Sequence, residues 1–279
     1  MLIDEVVARV WPDGVESVEP LGGGITNHNF KVDANGETLV LRIGGKDTEL
    51  LGIDRSVEHE ATLAAARLGL GPEVVAFVEP EGYLVTRFVE GEPGNVTIAG
   101  AAGLLARLHS APPIAGSFDP FRVVEAYAVT AASHGVAPTA AYTMAKAIAD
   151  RIERRRGKPL RVPCHNDLLA ANFIGAPDRT WIVDWEYAGM GDRAFDLANF
   201  AVNNGLDEAG DAELLEAYGG ADAEAHVLMR FMSDFREAMW GVVQEAIAEL
   251  DFDFVAYADE HFDRLEATSD EPRFARALG

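Results

Sequence analysis

Residues 165–174 read HNDLLAANFI, and residues 181–189 read WIVDWEYAG. Asp167 precedes Asn172 by five positions, and Asp184 closes a later apolar run. A carboxylate, an amide and a second carboxylate are what phosphoryl transfer asks of a protein. The first orients an attacking hydroxyl, and the other two offer hard oxygen ligands to Mg2+ beside nucleotide phosphates. The D-x-x-x-x-N order puts the base first and the metal-binding amide second. The segment NFIGAPDRTWIVDW reads as two short strands around an Ala-Pro-Asp-Arg turn, which would bring Asn172 and Asp184 together at the open end of one hairpin. Taken singly, Asp167 would pass for a helix cap and Asn172 for a turn residue. Their joint order with His165 and Asn166, behind a strand-rich stretch, points to chemistry.

The elements that must position these residues follow from periodicity. From Val15 to about Val89, short alternating runs are separated by Gly, Asn-Gly and Pro-Glu-Gly turns, which predicts strands. One helix interrupts them, starting after a capping Asp54 and stopping at Gly69 and Gly71 before Pro72. After EGEPGN the segments IAGAAGLLARLHSA, YTMAKAIADRIERRR, ELLEAYGG and AHVLMRFMSDFREAMWGVVQEAIAEL read as amphipathic helices. The expected class is therefore α+β, with a β-rich N-terminal lobe over residues 1–90 and a helical C-terminal lobe over 91–279, one arrangement that encloses a nucleotide in a cleft. Gly22, Gly23 and Gly24 would let the backbone approach phosphates, and Thr26 and Asn27 would either add polar contacts there or complete the turn.

Composition narrows the class further. The chain has 279 residues, 48% of them hydrophobic, enough for one two-lobed domain or two small ones. A formal net charge of −23 argues against a nucleic-acid partner, because phosphate backbones are held by basic patches. The same charge either steers a cationic substrate or reflects the solution chemistry of the source. No stretch approaches the roughly 18 apolar residues of a membrane span, and MLIDEVVARVWPDG carries acids where a signal peptide has a basic start. A cytoplasmic protein without membrane insertion is expected. The single Cys164 excludes an internal disulfide and a cysteine cluster for zinc. Nothing in the sequence sets the oligomeric state.

HNDLLAANFI and VDWEYAGMGDRAFDLANF resemble the catalytic and metal motifs of the choline and ethanolamine kinase family, within the larger group of aminoglycoside-phosphotransferase-like kinases. LGGGITNHNFKV resembles that family's Gly-rich nucleotide loop, LVLRIGG its strand with a phosphate-facing arginine, FVEGEP its hinge, and SDFREAMWGVVQEAIAELDFDFVAYADEHFDRL its Trp-bearing helix and following segment. The resemblance covers nearly the whole chain. It implies a protein-kinase-like two-lobed fold, ATP and Mg2+ as cofactors, Asp167 as the base, Asn172 and Asp184 on magnesium, and Arg42 on the nucleotide phosphates. Glu58 would orient Arg42, with Glu60 as the second candidate. Asp192 and Asp196 resemble the family's structural acids, and Asp196 would either brace the catalytic loop or cap the helix at LANF.

The family's acceptor pocket uses aromatics of the helical lobe, whose ring faces attract a quaternary ammonium. The matching positions are Tyr187, Trp240, Phe252 and Tyr257, each of which would otherwise read as core. Two positions depart from the pattern. Glu237 stands where eukaryotic members carry a first tryptophan, and Asn203 stands where they carry an acid. Glu237 would restore the charge lost at 203 or pair with a primary ammonium. The expected partner is a small amino alcohol, choline or ethanolamine. An aminoglycoside or sugar kinase of the same fold, and a silent nucleotide-binding pseudokinase, are the alternatives.

Overall fold

An Asn-Gly turn with both residues at positive φ, Asn35 at 55° and Gly36 at 75°, folds the first long hairpin. In this computed structural model, residues 3–22, 27–248 and 252–279 are described. Gly23, Gly24 and Thr26 lie outside the described residues. The hairpin joins β2 (Asn27–Ala34) to β3 (Glu37–Gly44) in an antiparallel sheet of order β1-β2-β3-β5-β4, completed by β1 (Ser17–Leu21), β4 (Val74–Val78) and β5 (Tyr83–Arg87). Alternation along β3 divides its roles. Leu39 and Leu41 are buried against Val6 of α1 (Ile3–Val10), while Arg42 points to the opposite face. That second face meets α2 (Arg55–Arg67). Asp54 caps α2 by accepting from the backbone N–H of Ser56 at 2.9 Å and of Val57 at 3.3 Å, and Glu58 is buried in its first turn.

The short β6 (Glu92–Pro93) pairs with β8 (Phe173–Ala176), which forms a hairpin with β9 (Arg179–Ile182). A second pair joins β7 (Arg161–Cys164) to β10 (Gly189–Asp192). These strands lie among helices α3 (Ile98–His109), α4 (Pro120–Ser133), α5 (Ala140–Arg156) and α6 (Arg193–Asn203). They are followed by α7 (Glu208–Tyr218), the 25-residue α8 (Ala223–Ile247), α9 (Phe254–Asp270) and α10 (Pro272–Leu278). The helical core centres on α8, whose residues from Phe231 to Gln244 are all buried. The architecture is α+β, with the sheet N-terminal and the helices C-terminal.

Four helices go beyond the periodicity reading. In α1, Ile3, Val6, Val7 and Val10 recur at helical spacing and pack on the sheet. In α4, Val and Thr lower the local helix preference, and the start is signalled instead by the cap Asp119 before Pro120. α9 and α10 pack onto α8, so tertiary burial supplies what their mixed sequences lack.

Candidate functional site

The loop after β7 carries Asp167, and its shape is set by one buried acid. Asp196 accepts from the backbone N–H of His165 at 2.9 Å and of Asn166 at 2.6 Å, and lies 3.0 Å from His109 Nε2. Burial pushes the Asp196 carboxyl up, but the hydrogen bond and charge interaction with His109 and the nearby His165 outweigh it and hold the group below its usual range. Asp192 caps α6 by accepting from the N–H of Ala194 at 3.0 Å. Of the two roles left open for Asp196, bracing the loop is the one it fills. Asn199 accepts from the N–H of Leu168 at 2.6 Å, one turn further along α6.

His165 ties this loop to the strand end that carries Asp184. Its Nδ1 accepts from the N–H of Asp167 at 3.3 Å, which leaves Nε2 to donate to the carbonyl of Val183 at 3.0 Å. Burial lowers its pKa, in keeping with a neutral ring. The N–H of Val183 in turn donates to the carbonyl of Asn172 at 2.9 Å, and Asn172 Nδ2 donates to the carbonyl of Asp167 at 2.9 Å. Asn166 and Asp184 both adopt φ of 67°, a region that non-glycine residues enter rarely and that is concentrated at functional sites. The hairpin therefore brings Asp167, Asn172 and Asp184 to one place.

Opposite them, the sheet presents a buried charge cluster. Arg42 lies 3.2 Å from Glu58, 3.4 Å from Glu186 and in a close ion pair with Asp184. Burial opposes its charge, but Asp184, Glu58 and Glu186 hold the guanidinium pKa above its ordinary value. Glu60 is exposed on the far side of α2. Arg55 adds bonds to Glu58 at 2.6 Å, to Glu186 at 3.2 Å and to Asn27 at 2.9 Å, and Asn27 donates to Glu186 at 2.9 Å. The side chain of Asn27 thus links the glycine-loop end of β2 to the strand-end acids. Gly22 is exposed, and a Cβ there would meet nothing within 4 Å. Sequence reasoning missed Glu186 and Arg55. The first had a signal, standing two residues after Asp184, and its carboxyl is pushed up to about 7 by burial and by Asp184. In a Glu58→Gln variant, Arg42 loses its ion pair with Glu58 and Arg55 its charged acceptor; if Arg42 meets the phosphates of a nucleotide, KM for that nucleotide is expected to rise about tenfold. Steady-state kinetics that left KM unchanged would remove Glu58 from this role.

Comparisons with known proteins identify the family. Residues 17–235 match the model of the phosphotransferase enzyme family. A choline/ethanolamine kinase family protein from Mesorhizobium loti superposes with a TM-score of 0.84 at 32% identity, over 100% of this chain and 98% of that one. The chain belongs to the phosphotransferase enzyme family, among its choline/ethanolamine kinase members. Choline kinase LicA from Streptococcus pneumoniae shares the fold, with a TM-score of 0.84 at 24% identity over 95% of this chain and 98% of that one. Protein LicA of Haemophilus influenzae is 28% identical over 208 residues, 70% of this chain and 61% of that protein's length.

On its other side, Asp167 meets a residue of α8 that sequence reasoning did not single out. Arg236 of α8, 2% exposed, donates from Nη1 to Asp167 at 3.0 Å and to Glu237 at 2.6 Å. Its guanidinium carbon sits 4.4 Å from the ring centroid of Tyr187. Glu237 also accepts from the hydroxyl of Tyr257 at 3.0 Å. The carboxylate expected to receive an ammonium is therefore already compensated within the protein. Burial raises its pKa, but Arg236, His261 and Tyr257 outweigh that and hold it low. Asp167 stands the other way. Burial pushes it up to about 7, Arg236 opposes, and Glu237 and Asp184 add to the rise.

Trp240 lies edge-on to Tyr257 at 5.4 Å and to Phe254 at 5.8 Å, while Phe252 is 43% exposed beside both. Asn203 ends α6 with Nδ2 buried and no hydrogen-bond partner among the described residues. None of the described hydrogen bonds connects it to the Asp167 cluster. Arg236 was missed by sequence reasoning, because in SDFREAM it stands between Asp234 and Glu237 and reads as one more charged helix residue.

Proposed function

We propose that this chain is an ATP-dependent small-molecule kinase that phosphorylates the hydroxyl of choline, ethanolamine or a related amino alcohol. Residues 1–90 form the nucleotide lobe and 91–279 the catalytic and acceptor lobe of this reading. The observation that carries it is the convergence of Asp167, Asn172 and Asp184 on the β8–β9 hairpin, facing Arg42 held by Glu58. The buried Asp167 orients the acceptor hydroxyl and takes its proton. Arg42 offers positive charge to the phosphates from a strand position fixed by Glu58. Asn172 spends its Nδ2 on the Asp167 carbonyl, which leaves Oδ1 free to serve with the Asp184 carboxylate as an oxygen pair suited to a hard divalent cation. Mg2+ held by these two residues would supply positive charge to offset that of the phosphates. The names of two relatives, an ethanolamine kinase of Rattus norvegicus and the choline/ethanolamine kinase family protein of Mesorhizobium loti, support the acceptor class. The reading places the protein in the cytoplasm, where ATP and Mg2+ are supplied. Among the described residues no helix is long and apolar enough to cross a membrane.

The test is an ADP-release assay with Mg2+ and ATP against choline, ethanolamine, dimethylaminoethanol and one aminoglycoside, beside an alcohol-free control. Turnover with an amino alcohol is expected at least about tenfold above the control. Activity on the aminoglycoside alone would move the acceptor class, and ATP binding without transfer to any acceptor would identify a pseudokinase.

A further inference from the structure

The amino-alcohol reading leaves most of the chemistry of Arg236 unused. Nη1 alone serves both Asp167 and Glu237. Nε and Nη2 are buried and have no hydrogen-bond partner among the described residues. Together they form one edge of the planar guanidinium, the fork whose two N–H bonds match a pair of oxyanion oxygens. Buried polar groups in folded proteins are nearly always satisfied, so a two-atom fork left empty next to Asp167 calls for a partner, and an oxyanion is the group that fits it. The face of the group is informative as well. The guanidinium covers the Tyr187 ring at 4.4 Å, the surface on which a quaternary ammonium would have rested.

Arg236 belongs to the acceptor side. Its hydrogen bonds go to Asp167 and Glu237, whereas Glu58 and Glu186 are engaged by Arg42 and Arg55. Asp167, Arg236 and Glu237 set negative, positive and negative groups side by side, an alternation that complements a zwitterion.

We propose that the acceptor is an amino alcohol that also carries a carboxylate, and that the Nε/Nη2 edge of Arg236 anchors that carboxylate. The inference rests on the kinase reading of the same site and narrows its acceptor to hydroxylated amino acids. The acceptor hydroxyl oxygen forms the new bond to the γ-phosphorus, and the bond from that phosphorus to the β–γ bridging oxygen breaks. ADP leaves with the electron pair, and the hydroxyl proton goes to Asp167.

Matched pairs test this directly. Serine and ethanolamine differ only by the carboxylate, as do homoserine and 3-aminopropanol. In the ADP-release assay the carboxylated member of at least one pair is expected to exceed its partner in kcat/KM by on the order of a hundredfold. Arg236→Lys keeps the positive charge and loses the fork. It is expected to bring the ratio close to one, with nucleotide affinity as the control for folding. Should that variant not fold, the wild-type pairs decide alone.

Wild-type preference for ethanolamine, 3-aminopropanol or choline overturns the inference and leaves the amino-alcohol kinase standing. An Arg236→Lys enzyme that is slower on both members of a pair by one factor, with the ratio kept, overturns it too, because Arg236 would then serve the transferred phosphoryl group. Absence of turnover on every alcohol sinks the kinase reading separately. Calorimetric binding of the same pairs to the ADP-loaded protein then reads the carboxylate preference, and equal or absent binding overturns the inference.

Discussion

Asp167→Asn is expected to lower kcat by about 10²- to 10⁴-fold while ATP binding persists, the range typical for loss of a positioned general base. The amide keeps the shape of the side chain and its contact with Arg236 but cannot take a proton. Pre-steady-state phosphotransfer and a fluorescent-nucleotide titration separate the two effects, and wild-type turnover would exclude Asp167 as the base. The pH dependence follows from the same group. Burial pushes the Asp167 carboxyl up to about 7, so the ionised, competent form is lost as pH falls below that value. The profile of kcat/KM should rise with pH and bend near 7. A profile flat from pH 5 to 8 would contradict the environment described for Asp167.

The second large effect is on stability. Asp196 is fully buried, receives two backbone N–H bonds from the Asp167 loop and faces His109. Asp196→Ala leaves those donors unsatisfied in the core, and a destabilisation of about 3–5 kcal/mol is expected. For a chain of this size that corresponds to a fall in Tm on the order of 10 °C in a thermal melt. Asp196→Asn retains one acceptor oxygen and should lose less. A melt of Asp196→Ala that coincided with wild type would show that the loop holds its shape without this acid.

The parts of the site legible in sequence are those whose partners are close along the chain. Asp167 and Asn172 are joined by a bond across five residues, and the hairpin that returns Asp184 is announced by its own turn. The α+β class was legible for a similar reason, because alternation and helical spacing are local signals. Arg236 reaches Asp167 across 69 residues and Arg55 reaches Glu186 across 131, and no local pattern records either meeting. Asp192 and Asp196 show a subtler limit. Each stands near the start of one helix, and only the three-dimensional course of the loop assigns the cap to one and the brace to the other. Glu237 has the right residue type for an ammonium, but the adjacent arginine already occupies its charge.

Both backbone groups of Val183 are committed, its carbonyl to His165 and its N–H to Asn172, the flanks of the Asp167 loop. The Asp167 loop and the strand end that carries Asp184 are thereby coupled mechanically, and neither can shift along the chain direction without dragging the other. On the proposed reading, acceptors of different length would then be accommodated from α8, where Arg236, Glu237 and Trp240 sit on one continuous helix. Substitutions along that helix would change which alcohol is taken and leave the geometry of transfer alone, a division of labour that would let this scaffold change substrate while keeping its reaction.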